Sequence, residues 1–435
     1  MKNKAINLKG FLLKLLDARE WIILLSTFAL SGLLISSIFW INFDNNEFDP
    51  DNIPLQRIGY DVFAKTTNND IRNMFNTNYE IRYQKVYPES FADMARDVYV
   101  SNIPLIHKLA DRHYMYHLDE NDLSSPIINN LYMVNEAYDS NNWLKIPDHL
   151  YYLLEEGLEL TIATDFKFNI FVGEVVAFWE DVLENSDDYL NRDPFYNHDQ
   201  ADLLARLTSY VPMNQQQAEE TLELKIENHD YYVRFNQFND APHGDLSLTL
   251  AGIAKGYAND IIAPLLIENE LEHGFIYGGG SSISTLGSKY SSNLWKWQLE
   301  GPNEATPYAF YINRGGQYSF STSGGYMGIN IPTNDGSLRR HHIVNPETGY
   351  PADQQLQINV ISADLPSDRL DALSTALMNM TIEEGLQLKT SVNNEGQELE
   401  VAWINIIDNG DVEVKYTSGY QQYITELDNL IYHVV

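Results

Sequence analysis

The chain has 435 residues, no cysteine and a formal net charge of −33. That charge opposes nucleic-acid binding, since a phosphate backbone is held by Lys and Arg. It equally opposes docking on anionic lipid, and leaves solubility or a basic partner as its use. The missing cysteines exclude disulfides, thiolate catalysis, zinc–thiolate sites and lipid attachment through Cys.

In chain order, the first element is a membrane segment. Trp21 to Phe43 carries no charge, and about 23 residues span a bilayer core of roughly 30 Å. Lys2, Lys4, Lys9, Lys14 and Arg19 precede it, and Asp44, Glu47, Asp49 and Asp51 follow. The positive-inside rule makes residues 1–20 a cytoplasmic tail, 21–43 a single-pass anchor, and everything after it extracytoplasmic. A cleaved signal peptide would have a shorter apolar core ending in small residues. Residues 44–70, polar and rich in Asn and Asp, form a tether. Residues 71–435 form the main domain.

Tyr79–Tyr83 alternates and predicts a strand. Ser90–His113 has helical spacing interrupted at Pro104. Leu150–Ala163 predicts a second helix, and 168–183 is another apolar, aromatic stretch. Leu222–Ile226 and Tyr231–Phe235 predict a strand pair turning around Asn228–His229–Asp230. Strands and helices in irregular order favour an α+β fold.

Four later blocks carry chemistry. In Leu250–Asp260, Ile253, Tyr257, Ile261 and Leu265 fall four apart and predict one buried helix face. Gly252 and Gly256 leave backbone open to close approach, and Lys255 between them suits a phosphate. A small-residue helix packed on a sheet explains the same pattern. The second block, Phe275 to Ser284, runs a strand into Gly278-Gly279-Gly280. Their bare N–H groups can hold an anion, and a plain turn is the alternative. The third, Ser321-Thr322-Ser323-Gly324-Gly325-Tyr326, offers hydroxyls and an aromatic for a flat ligand. It leads to His341-His342, which Pro346, Gly349 and Pro351 follow as rigid turn residues. Imidazoles with no chemical role are the alternative there. In the fourth, Asp371, Ser374 and Thr375 stand at i, i+3 and i+4 on one helix face, an incomplete hard-cation site. The competing account is that Asp368 caps the helix and Asp371 is an ordinary first-turn acid.

Taken in this order, the blocks resemble the ApbE family of flavin transferases. The segments LxxIAKGYAxD, a glycine-rich strand end, TSGxY, H-I-V-N-P-x-T-G-Y-P and D-A-x-x-T are all readable. Upstream, Met74 to Tyr79 and Leu160 to Trp179 are similar to two further family segments. The resemblance implies an α+β, T-fold-related, ApbE-like domain after a single transmembrane helix. It implies FAD as substrate and Mg2+ as cofactor, with FMN transferred to a Thr or Ser hydroxyl of an extracytoplasmic acceptor protein and AMP released. Carried over by position, Gly252 (main-chain oxygen), Asp371, Ser374 and Thr375 hold the metal. Met74, Tyr116, Lys255, Gly279, Gly280, Ser323 and Ile343 line the FAD site, with Tyr116 stacking on the flavin. His342 is the base.

Thr249 and Asn169 stand where the family has Asp, Phe171 where it has Thr, and Ala251 and Phe75 at glycine-like positions. Two other functions on the same blocks are FAD hydrolysis to FMN and AMP, and flavin binding without turnover. Surface adhesion would explain only the anchor and the acidity.

Overall fold

The computed structural model describes residues 53–435 except 60–73, 291–293, 304–305, 326–327, 335 and 429. The Trp21–Phe43 segment, most of the tether and Tyr326 lie outside the described residues. No helix among the described residues is long and apolar enough to cross a membrane.

The main sheet has nine strands. Their spatial order is Leu55–Gly59, Tyr79–Gln84, Gly274–Gly278, Ser282–Leu286, Gln317–Gly324, Gln357–Ser362, Glu400–Ile406, Val412–Tyr416 and Ile431–Val434. Neighbours pair antiparallel except the last two, which run parallel. Strand periodicity sends successive side chains to opposite faces, and here both faces are covered. Ile276, Ile358 and Val360 join a core shared with the helices Ser90–Ala110, Ala254–Glu268 and Ser367–Met378. Phe275, Ile283, Phe320 and Ile361 join a second core with Trp295, Leu299 and Ile312. Those last three belong to a smaller sheet of Trp295–Asn303, Thr306–Arg314 and Ile424–Thr425. Strand Gln357–Ser362 is consequently buried at every position.

The mixed α+β architecture expected from the pattern is present. The hairpin Leu222–Glu227/Asp230–Phe235 turns through Asn228 and His229 at φ 53° and 67°, the left-handed pair that fits strand twist. Pro104 stays inside the Ser90–Ala110 helix, where fully buried Ile103, Ile106 and Leu109 hold the chain helical around it.

The row Ile253, Tyr257, Ile261 and Leu265, expected to be one buried face, is not buried throughout. In the Ala254–Glu268 helix, Ile253 and Tyr257 are buried, but Leu265 is 36% exposed. A row spaced by four drifts around a helix of 3.6 residues per turn. By the third step the buried side is Ala258, Ile262 and Leu266.

Candidate active site

The site grows from two helices that touch. At Gly256 an added Cβ would overlap the carbonyl of Ser367, so it is the start of the late helix that approaches this glycine. The Gly256 N–H donates to Asp371 Oδ2 at 2.7 Å. The late helix is capped not by Asp368 but from across the interface: Asp260 accepts the N–H groups of Ser367 and Asp368, both at 2.9 Å. Asp368 bonds only its neighbour's N–H, Arg369, at 2.6 Å. Burial pushes the carboxyl pKa values of Asp260 and Asp368 up, and their mutual repulsion adds to it for Asp368.

The strand Gln317–Gly324 supplies the floor. Ser319, Ser321 and Ser323 face the two helices at close range, while Tyr318 and Phe320 face the other core. Ser321 Oγ donates to Asp371 Oδ1 at 2.7 Å, and Ser323 Oγ lies 2.7 Å from Ser374 Oγ. Ser374 and Thr375 also donate to the Asp371 carbonyl at 3.0 and 3.1 Å. Asp371 is buried, which raises its pKa; Lys255, Ser321, Gly256 and Ser282 act in the opposite sense. Ser374 is fully buried and engaged with Ser321, Ser323 and its own helix, whereas Thr375 reaches the surface. Gly252 lies beside Thr375, since a Cβ there would sit 3.4 Å from Thr375 Oγ1.

Lys255 links this group to the histidine segment. Its ammonium bonds the Ala251 carbonyl at 3.4 Å and has no carboxylate partner among the described residues. It acts electrostatically on both Asp371 and His342. His342 is exposed at the surface, yet protein crowds its ring. That crowding lowers its pKa, Lys255 lowers it further, and Glu180 opposes them.

The two imidazoles have different duties. His341 is buried, and its Nδ1 accepts the Ile343 N–H at 3.3 Å, which leaves Nε2–H to donate to the Ala352 carbonyl at 2.9 Å. Burial drives its pKa to about 4. It is a neutral brace for the loop, and Ile343 is buried beside it. Asn379 ties the next residue down by donating to the Val344 carbonyl at 3.0 Å.

The glycine block turns out to be a tight hairpin between Gly278 and Ser282. Gly279 and Gly280 take φ of +66° and +80°, and a Cβ on Gly279 would overlap Thr77. Turn geometry and close packing thus account for two of the three glycines. The Gly279 N–H donates to the Asn78 carbonyl at 3.0 Å, and buried Met74 lies one turn earlier, its carbonyl accepting the Thr77 N–H at 3.1 Å. Tyr116 is engaged elsewhere: its hydroxyl donates to Asp111 at 2.6 Å and the Lys108 ammonium lies 5.7 Å from its ring centre, and among the described residues no hydrogen bond ties it to the Asp371 group. Asp371, Ser374, Thr375, Gly252, Lys255 and Ser323 therefore come together, with His342 in electrostatic range. Asp260, Ser321 and Ser282 fall inside the blocks singled out in the sequence, but their bonds to the late helix and Asp371 were not foreseen. The alternating serines at 319, 321 and 323 were the available signal for a strand meeting a helix closely.

The ApbE family model matches residues 76–401. The FAD:protein FMN transferase of Vibrio cholerae is 29% identical over 174 residues, covering 40% of this chain and 49% of that protein. The protein of the same name from Klebsiella pneumoniae is 28% identical over 241 residues, covering 54% and 64%. The chain thus spans about half to two thirds of these relatives' length. Among solved structures, the ApbE protein of Thermotoga maritima aligns with a TM-score of 0.58 at 18% identity, over 86% of this chain and 100% of that one. The flavin transferase ApbE of Vibrio cholerae aligns at 0.58 and 19%, over 85% and 100%. At such identities the structures establish the fold.

Proposed function

The chain belongs to the ApbE family, and from that premise we propose that it transfers FMN from FAD to a Thr or Ser hydroxyl of an acceptor protein, with AMP as the leaving group. The observation that carries this reading is Lys255, a cation without a carboxylate partner among the described residues that acts electrostatically on both buried Asp371 and the crowded imidazole of His342. A pyrophosphate is the kind of anion such a lysine takes. The names of the Vibrio and Klebsiella relatives point the same way.

The donor set fits magnesium. Asp371, the Thr375 hydroxyl and the Gly252 carbonyl would hold it, with Ser374 bracing them from behind. The Thr375 hydroxyl spends its hydrogen on the Asp371 carbonyl, which leaves its lone pairs for an ion, whereas buried Ser374, expected from the sequence as a ligand, is taken up by Ser321, Ser323 and its own helix. Among the described residues there is no cluster of three or more His or carboxylate ligands; an ion here would have to complete its shell with water and substrate phosphate. When bound, the ion would neutralise charge on the phosphate oxygens. Lys255 adds charge at the same place. His342, with its pKa lowered, is neutral at pH 7 and can take the acceptor's proton at a ring nitrogen. The acceptor oxygen then bonds the FMN phosphorus, the phosphoanhydride bond breaks, and AMP departs with the electron pair.

Water in the acceptor's place would give FAD hydrolysis. The uncharged Trp21–Phe43 run and the cations before it support a single-pass anchor with the domain outside the cytoplasm. Both are tested by incubating the full chain with FAD, magnesium and a membrane extract. In-gel fluorescence reads covalent FMN and chromatography reads AMP. AMP with a labelled band supports transfer, and AMP alone means hydrolysis. Retained FAD with neither product refutes both.

A further inference from the structure

Arg340 ends the strand Gly336–Arg340 and directly precedes His341 and His342. Its side chain is 8% exposed and meets the Asp193 carboxylate, 0% exposed, in a two-pronged pair: Nε to Oδ2 at 2.7 Å and Nη2 to Oδ1 at 3.1 Å. The Phe195 N–H donates to the same carboxylate at 2.8 Å. The guanidinium carbon lies 5.1 Å from the centre of the Trp179 ring and 5.6 Å from that of Tyr350. Trp179 in turn donates to the Gly349 carbonyl at 2.7 Å. One cation is thus tied to the turn after Asp193, to the Gly173–Glu184 helix and to the turn that follows the histidines.

Such a pair adds little to stability. Taking two charges out of water costs about what their attraction returns, and an apolar pair of similar volume is often as stable. What a planar fork on a carboxylate supplies is position. Position is what His342 lacks by its own means. Among the described residues no hydrogen bond holds its ring. Its neighbours are fixed instead, His341 by two hydrogen bonds and Ile343 by accepting the Ala352 N–H at 2.8 Å. The place of the His342 ring is therefore set by the backbone on either side, and on the upstream side that backbone is anchored by Arg340.

We infer that Arg340, clamped by Asp193, is a positioning residue that sets where the His342 ring stands, and so governs proton removal from the acceptor rather than affinity for FAD. This rests on the assignment of His342 as base given above.

The test uses two variants of the full chain. Arg340→Met with Asp193→Leu removes the pair without stranding a buried charge, and Arg340→Lys keeps the charge but not the fork. Three quantities are measured: AMP release from FAD with magnesium, KM for FAD, and the titration of His342 by NMR of isotope-labelled histidine. The His342 signal is identified by its loss in His342→Gln. In the double variant the expected result is a kcat lower by about 10- to 100-fold, with KM for FAD changed less than about twofold. The His342 signal should shift, with titration moved up toward the ordinary histidine range. Arg340→Lys should lie between and serves alone if the double variant does not fold. An unmoved His342 signal overturns the inference, with or without a fall in kcat, and so does an unchanged kcat in a folded variant. If the wild-type chain releases no AMP, the transfer reading fails by itself. The NMR measurement then still decides the positioning claim: a shifted signal supports it and an unshifted one refutes it.

Discussion

Replacing Gly256 with alanine tests whether the site depends on two helices standing at backbone contact. The new methyl would lie 2.5 Å from the Asp368 backbone nitrogen and would overlap the Ser367 carbonyl. Ordinary contacts to carbon need about 3.5 Å, so the helices must part by roughly 1 Å. Backbone cannot rotate out of the way as a side chain would. Overpacking of this kind costs about 3 kcal/mol, while alanine regains about 1 kcal/mol of helix propensity over glycine. The net loss is about 2 kcal/mol. With an unfolding entropy of about 0.8 kcal/mol/K for a domain of this size, the midpoint should fall by about 3 °C. The parting also draws the Gly256 N–H away from Asp371, one of the groups that offset the burial of that carboxylate. Magnesium-dependent AMP release should therefore drop by about tenfold, the loss of roughly one charged hydrogen bond. Calorimetry and the AMP assay read both effects. A midpoint equal to or above wild type would refute the packing argument, since that is what a glycine serving only as a poor helix former would give.

Asp371→Asn should lower AMP release by about 100-fold or more and remove its dependence on magnesium; a variant that keeps its magnesium response would dismiss the proposed ion site. Asn169→Asp should destabilise the fold by about 2 kcal/mol at pH 8, because the Asn169 amide donates to the Pro212 carbonyl at 2.9 Å and a carboxylate cannot. Urea unfolding at pH 4, where the new carboxyl can carry a proton, should show a smaller loss, and equal losses at both pH values would contradict this. His341 is held neutral with a pKa of about 4 against 6.5 when unfolded. The unfolded chain takes up its proton first, so this stabilisation is complete above about pH 6.5 and declines as pH falls toward 4, by about 3 kcal/mol in all. Wild type should lose that much more stability than His341→Gln between pH 7 and 4, and parallel curves would show that His341 does not contribute.

What the sequence discloses depends on how local the cause is. The Asn228–His229 turn was legible because left-handed residues between alternating strands leave a short signature. The late helix was legible because Leu370, Leu373 and Leu377 repeat at helical spacing, and all three are buried. The row of Ile253, Tyr257, Ile261 and Leu265 misled at its far end, where helical drift carries a four-spaced row out to solvent. The site was legible as five separate blocks, but their joins were not. Asp260 caps a helix that begins more than a hundred positions later, and Ser321 reaches from its strand to Asp371 on the helix packed over it; neither bond leaves a mark at short range. The division of labour between His341 and His342 was equally hidden, because it turns on which ring the loop folds over.

The departures from the family pattern bear on whether the chain still does chemistry. Phe75 keeps the left-handed backbone of a glycine position, at φ 55° and ψ 31°, a conformation costing an L-residue roughly 1–2 kcal/mol. It recovers some of that through its N–H bond to His107 Nδ1 at 3.2 Å and ring contacts with His107 and Tyr79 at 5.4 and 5.6 Å. Asn169 likewise has structural work on both sides of its amide, accepting the Phe171 N–H at 3.0 Å while donating to Pro212. Thr249, the other lost carboxylate, is buried and held through its backbone to Ile170 at 2.8 Å. These substitutions are absorbed by the scaffold. A non-catalytic flavin scaffold would need a cradle for the ligand, but it would gain nothing from a buried carboxylate and an imidazole of lowered pKa that both feel a lysine with no carboxylate partner among the described residues. Such a combination suits charge stabilisation and proton transfer, and it is the physical ground for the proposal that this member of the family is an enzyme.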